Sequence, residues 1–98
     1  MAHALETTVL NADELRAELS NLPAWQLVND ALERTFECAS FLEAIAFVNR
    51  VAVIAEQFNH HPDFEIHWKK VTLRLWTHKQ HAITRADVVV AAAIDTVA

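Results

Sequence analysis

The chain has 98 residues, 53% of them hydrophobic, with a formal net charge of −5, a single cysteine and no glycine. That length suits one domain spanning 1–98 that can bury roughly two-thirds of its unfolded surface, and such a hydrophobic fraction argues against intrinsic disorder. The acidic balance gives no electrostatic case for nucleic acid or an acidic membrane as partner, lone Cys38 excludes an internal disulfide framework and fits a reducing compartment, and the lack of glycine excludes Walker and Rossmann phosphate loops.

The opening Met-Ala-His-Ala-Leu-Glu lacks a basic stretch followed by an apolar one, so no secretory signal is expected and the cytoplasm is the default location. No apolar run is long enough to cross a bilayer, so no membrane contact is expected. The first helix is predicted to begin near Asn11, where Asn11 and Glu14 form a capping-box pair ahead of Leu15 and Leu19, and Pro23 closes that region. Trp25 to Val28 and Leu32 to Glu37 then read as two short strands around Asn29-Asp30, a hairpin turn made without glycine.

A second helix is predicted from the Ser40/Glu43 capping box to about Phe58. Phe41, Ile45, Val48, Ala52 and Ala55 recur at helical spacing, and Phe47, Val51, Ile54 and Phe58 widen the stripe, which makes this helix central to the core. After Pro62, Phe64, Ile66 and Trp68 alternate with polar residues, and so do Val71, Leu73 and Leu75. Both patterns predict half-buried antiparallel strands joined at Lys69-Lys70, with Trp68 in the core. Thr84 and Asp87 open a last helix carrying Val88, Val89, Ala92 and Val97. The order α-β-β-α-β-β-α predicts an α+β fold, a four-stranded antiparallel sheet with helices on one face.

Of the six histidines, five lie between residues 60 and 81. His60 and His61 stand where proline at 62 disfavours further helix, and His78 follows the fourth strand. A hairpin turning at Lys69-Lys70 sets Pro62 opposite Thr77 and gathers His60, His61 and His78 at one edge of the sheet. A single histidine at a strand end is ordinarily a surface residue or a helix C-terminal cap. Three converging on one corner point instead to a functional cluster, because imidazole takes and gives protons near neutral pH.

Other chemistries fit less well. Three imidazoles could hold zinc in a small hydrolase, but adjacent histidines diverge in extended chain and no His-Glu-x-x-His or Cys-x-x-Cys is present, so no native metal is expected. Cys38, at the apolar end of strand two, reads as an inert buried thiol. No serine stands in a glycine-flanked nucleophile elbow. Asp87 is explained by its place in a Thr-x-x-Asp helix start, although it could also face the cluster. Glu56 shares a helical face with His60 if the helix reaches that far. Trp25, Trp68 and Trp76 could each stack on a planar ring.

Glu56-x-x-x-His60-His61-Pro62, Trp68-x-x-Val71, Thr77-His78 and Asp87 nine residues later form an ordered set that resembles the signature of the pterin-4a-carbinolamine dehydratases. The resemblance is close from 56 to 87 and looser from Leu22 to the last helix. It implies a lyase that removes water from 4a-hydroxytetrahydropterin to give quinonoid dihydropterin, recycling a tetrahydrobiopterin-type cofactor, with no metal or organic cofactor of its own. It also implies that His60, His61 and His78 surround the pterin as catalytic residues, that Pro62 and the segment Thr77, His78, Lys79 and Gln80 shape its pocket, and that Glu56 and Asp87 are secondary polar contacts. His60 and His78 are then expected to exchange the acid and base roles, with His61 holding the ring. Which of the two protonates the leaving oxygen stays open on sequence. Family members are commonly homodimers or homotetramers, and an exposed apolar stripe on the second helix would suit such an interface. Some also act as dimerisation cofactors of a transcription factor, so a non-catalytic interaction module on the same fold is the competing reading.

Overall fold

The structure, a computed structural model, describes residues 7–98. The stretch on which the targeting expectation rests therefore lies outside the described residues. No helix among them is long and apolar enough to cross a membrane. Seven elements follow in order: α1 (Ala12–Leu19), β1 (Gln26–Val28), β2 (Ala31–Glu37), α2 (Phe41–Phe58), β3 (Asp63–His67), β4 (Lys70–Leu75) and α3 (Arg85–Asp95). The strands make the single four-stranded antiparallel sheet that the sequence pattern predicts, in the order β1-β2-β4-β3.

Local signals in the sequence account for most boundaries. At α1 the Asn11 side chain accepts from Glu14 N at 2.8 Å and Glu14 accepts from Asn11 N at 3.0 Å, a complete capping box. Only half of the box forms at α2, where Ser40 Oγ accepts from Glu43 N at 3.1 Å. The β1–β2 hairpin turns through Asn29 and Asp30 at φ 49° and 62°. This is the left-handed pair that a two-residue hairpin needs, supplied by the residues with a Cβ that tolerate it best.

Leu32 and Phe36 from β2 and Val71, Leu73 and Leu75 from β4 form the inner face of the sheet. The opposite face carries Thr35 against Thr72 at 2.8 Å and Arg74 against Glu33 at 2.7 Å. On the covered face, α2 contributes Ala44, Phe47, Val51, Ile54 and Ala55. The buried face of α2 thus takes Phe47, Val51 and Ile54 from the group expected to widen the stripe and only Ala55 from the stripe itself, while Phe41 (48%) and Ala52 are exposed and Ile45, Val48 and Phe58 half-buried. The helix sequence is apolar on most of its sides, so periodicity alone does not select the side that meets the sheet. Helix α3 departs similarly. Ala86, Val88, Val90, Ala91 and Ile94 face inward, Val89 and Val97 are half-buried and Ala92 is exposed. The burial of Asp87 in this helix's first turn fixes its roll.

The third expectation to change is the β3–β4 hairpin. It turns at Trp68-Lys69, one residue earlier than Lys69-Lys70, and Asp63 pairs with Arg74. The register therefore slips by two from the expected one. An even slip keeps each side chain on its face of the sheet. Trp68, expected in the core, sits in the turn at φ 55° with 70% of its surface exposed and its ring 5.0 Å from Lys69 Nζ. Strand β3 is exposed throughout rather than half-buried, being one of the two edge strands of the sheet.

Candidate functional site

Helix α2 ends in a way that delivers two imidazoles to one place. Asn59 takes the left-handed conformation (φ 50°, ψ 43°), its N–H donates to Glu56 O at 3.3 Å, and His60 N–H donates to Ala55 O at 3.1 Å. These are the two bonds of a Schellman motif, with asparagine where glycine is usual. The next residue but one is Pro62, so the chain leaves extended and enters β3. Across the hairpin, β4 ends at Leu75, and Thr77 and Ala82 pair to close a turn that carries His78.

His60, His61 and His78 all line one cavity of about 560 Å³, a volume in the usual range for small-molecule sites. Pro62, Thr77 and Lys79 line it too. So do Phe58, Asn59, Asp63 and Trp76, which supply apolar and polar walls that the sequence motif alone does not single out. Glu56, Gln80 and Asp87 stand outside the lining. Glu56 accepts from His61, Gln80 donates to Thr7 Oγ1 at 3.2 Å, and Asp87 reaches the cavity only through His60.

Asp87 has no exposed surface, and both its oxygens are engaged. Its Oδ1 accepts from His60 Nε2 at 2.6 Å. Its Oδ2 accepts from Thr84 N at 2.9 Å and from the Thr77 hydroxyl at 2.9 Å. Because Thr77 spends its one hydrogen on the carboxylate, the Thr84 hydroxyl donates to Thr77 Oγ1, 2.6 Å away. The capping carboxylate of α3 is thereby also the partner of a cavity imidazole. Buried charge is stable only when paired and hydrogen-bonded, and every bond that Asp87 accepts comes from a residue of the motif or its helix cap. Thr84 is the member of this network that motif reading misses; its signal is the Thr-x-x-Asp spacing.

The bond to Asp87 fixes the hydrogen of a neutral His60 on Nε2 and leaves Nδ1 as its lone-pair nitrogen. His61 likewise donates from Nε2 to Glu56 Oε2 at 2.6 Å, but that pair is open to water. The His78 ring is packed on Trp76, centroid to centroid 4.2 Å. Such a set of imidazoles can donate and accept protons around a small molecule held in the cavity. Among the described residues no group of three or more His, Cys, Asp or Glu side chains is arranged to hold a metal. Cys38 is half-buried behind β2, away from the cavity lining.

Comparison with known proteins agrees with this geometry. The family model described as pterin 4 alpha carbinolamine dehydratase matches residues 8–97. A curated protein of Thermosynechococcus vestitus, provisionally named a pterin-4-alpha-carbinolamine dehydratase, is 46% identical over 89 residues, covering 91% of this chain and 94% of its own. One of Chloroflexus aurantiacus with the same provisional name is 43% identical over 88 residues, covering 90% and 95%. Among solved structures, a transcriptional coactivator/pterin dehydratase from Brucella melitensis superposes with a TM-score of 0.88 at 29% identity, covering 93% of this chain and 99% of that one. The chain belongs to the pterin 4 alpha carbinolamine dehydratase family.

Proposed function

We propose that this member of the family dehydrates 4a-hydroxytetrahydropterin to quinonoid dihydropterin in the cytoplasm, as a step in recycling a tetrahydrobiopterin-type cofactor. The observation that carries the reading is the buried Asp87–His60 pair opening on a cavity that His61 and His78 also line. In the reaction the C4a–O bond breaks with its electron pair leaving on oxygen, which takes a proton and departs as water. The N5–H bond gives its pair to form the C4a=N5 double bond, and that proton goes to a base. Acid and base each contribute about 10²–10⁴-fold when positioned, and imidazole is suited to both roles near neutral pH.

His60 is the base. Its Nδ1 takes the N5 proton while Asp87, desolvated and held by Thr77 and Thr84, stabilises the imidazolium that forms, the arrangement that orients histidine in hydrolase triads. His78 is the acid that protonates the leaving hydroxyl. His61 holds the ring, with Pro62 and Thr77 as walls and Lys79 at the rim. Chemically generated carbinolamine supplies the test. Turnover well above the spontaneous rate, lost in the His60→Ala/His78→Ala double variant, is expected. A chain that only binds protein partners would give the uncatalysed rate, and full activity in the double variant would remove the assignment.

The chain is further read as a homodimer or homotetramer. Leu42 (79% exposed) and Val53 (58%) stand outward on α2, and Phe64 and Ile66 on edge strand β3. Light scattering at micromolar concentration is expected to give a multiple of the chain mass, and a monomer would count against it.

A further inference from the structure

We infer that Trp76 is the positioning residue of His78, which among the described residues is the one cavity imidazole that no carboxylate holds; its kinetic consequence rests on the dehydratase reading. Residues 72, 74, 76 and 78 fall on one side of the extended chain. On the strand itself this side is polar, Thr72 facing Thr35 and Arg74 bonded to Glu33. An indole breaks that pattern at position 76, just past the end of β4. It is half-buried because it packs against the imidazole two residues on. The ring centroids of Trp76 and His78 lie 4.2 Å apart with planes inclined by 39°, and His81 approaches the same indole at 6.0 Å from across the turn.

The three cavity imidazoles are therefore held by different means. His60 and His61 each donate to a carboxylate at 2.6 Å. The His78 side chain is exposed, and among the described residues it makes no hydrogen bond. Its backbone is fixed by the Thr77–Ala82 bonds and by His81 N–H donating to His78 O at 3.3 Å, but backbone bonds leave χ1 and χ2 of an exposed ring free. The indole face is what selects one orientation. It does so without an acceptor that would compete for the ring hydrogens. A carboxylate would hold the ring equally well but would take up one of its N–H groups.

The test compares wild type with Trp76→Leu, Trp76→Phe, His78→Ala and the Trp76→Leu/His78→Ala double variant, each first checked for wild-type circular dichroism and melting behaviour. Proton NMR reads the position directly, since a ring over an indole face has its carbon-bound protons shifted upfield. The His78 ring signals, assigned by their loss in His78→Ala, are expected to move to ordinary histidine positions in Trp76→Leu and to remain shifted in Trp76→Phe. Turnover of carbinolamine is expected to fall about three- to tenfold in Trp76→Leu, with most of it restored in Trp76→Phe. In the His78→Ala background the Leu substitution is expected to have no further effect on kcat. Unchanged His78 signals in Trp76→Leu would overturn the inference. So would an equal loss of kcat with and without His78, which would mean that the indole acts on the substrate or the fold. Where Trp76→Leu melts well below wild type, Trp76→Phe in both His78 backgrounds decides between the same outcomes. A wild type with no turnover removes the dehydratase reading, and the NMR comparison still decides whether Trp76 holds His78.

Discussion

Two histidine–carboxylate pairs sit side by side at the end of α2, with the same 2.6 Å separation and opposite physical weight. In His60–Asp87 the side chains retain 14% and 0% of their exposure; in His61–Glu56 they retain 53% and 78%. Coulomb attraction at a given distance scales inversely with the surrounding dielectric, so the first pair interacts several times more strongly than the second. It is also costlier to break, because each partner has given up its water. Distance alone therefore says nothing about which imidazole the fold has built. What separates them is that Asp87 belongs to another element, 27 residues on, whereas Glu56 lies in the last turn of the helix that His61 follows, five residues back. Bringing Asp87 to His60 requires the tertiary fold. Bringing Glu56 to His61 requires only the end of a helix.

The largest effect that would break this contrast is catalytic. Replacing His60 by alanine is expected to cost about 10²–10⁴-fold in kcat/KM, and replacing His60 and His78 together to leave only the uncatalysed rate. Replacing His61 is expected to raise KM by about tenfold or less, as one binding contact is worth. Steady-state kinetics with generated carbinolamine checks all three. A His61 variant as damaged in kcat as the His60 variant would mean that the exposed pair does chemistry too.

Next in size is the carboxylate itself. Asp87→Ala leaves the Thr84 N–H, the Thr77 hydroxyl and His60 without their acceptor in a buried place, and is expected to cost about 3 kcal/mol of stability. For a domain of this length that lowers the melting temperature by roughly 12–24 °C. Asp87→Asn keeps the shape but presents an amide that accepts more weakly and cannot stabilise an imidazolium. Its kcat is expected to fall between about ten- and ten-thousandfold at a smaller loss of stability. Thermal melts and kinetics on the same two preparations separate the structural from the catalytic share.

The double service of Asp87 marks how far the sequence could be read. Thr84 and Asp87 are legible as a helix start because capping is local: the partners are three residues apart and the chemistry is fixed by spacing. That the other carboxylate oxygen meets His60 is a matter of how α3 is rolled against the end of α2, and α3 is small and apolar on several sides. The same degeneracy hides the inward side of α2, where Ala44 and Phe47 are buried and Phe41 is not. The antiparallel sheet, the Asn29-Asp30 turn and the histidine corner were readable because alternation, turn chemistry and hairpin closure each leave few options, whereas the pairing of β2 with β4 has no local signal. The register of β3 on β4 was readable only to within two residues. Lys69-Lys70 resembles a turn as well as Trp68-Lys69 does, and nothing local announces that Trp68 takes the left-handed conformation. The packing of Trp76 on His78 was invisible for the opposite reason. Alternation continues past the end of a strand, but no pattern says what a side chain beyond it will touch.

A smaller effect acts on both pairs at once. Asn59 is the left-handed residue that turns the chain toward His60, and Asn59→Ala is expected to cost about 1 kcal/mol, since a Cβ without a local hydrogen bond is strained there. Asn59→Gly is expected to leave stability unchanged or raise it by a few tenths of a kcal/mol. Chemical denaturation resolves differences of this size. If alanine were tolerated as well as glycine, the backbone at the corner would be set by Pro62 and not by the helix cap.

The smallest effect is the most discriminating, because it is expected to be close to nothing. Glu56→Gln removes the charge that His61 faces while keeping an amide oxygen in the place of the carboxylate oxygen. An exposed pair gains little from its charge, since water solvates each partner nearly as well apart and salt screens what attraction remains. Holding two mobile side chains together also costs rotamer freedom that offsets most of the gain. The change in stability is therefore expected to stay within about 0.5 kcal/mol, and turnover to stay within about twofold of wild type. Set beside Asp87→Asn, which makes the same chemical change at the same distance from its imidazole, the two substitutions form a pair that differs in burial and in the Thr77 and Thr84 bonds that Asp87 alone of the two accepts. Equal losses from both would mean that the oligomer or the bound pterin covers Glu56 and removes it from water. In that case the exposed pair would become a second buried one in the working assembly.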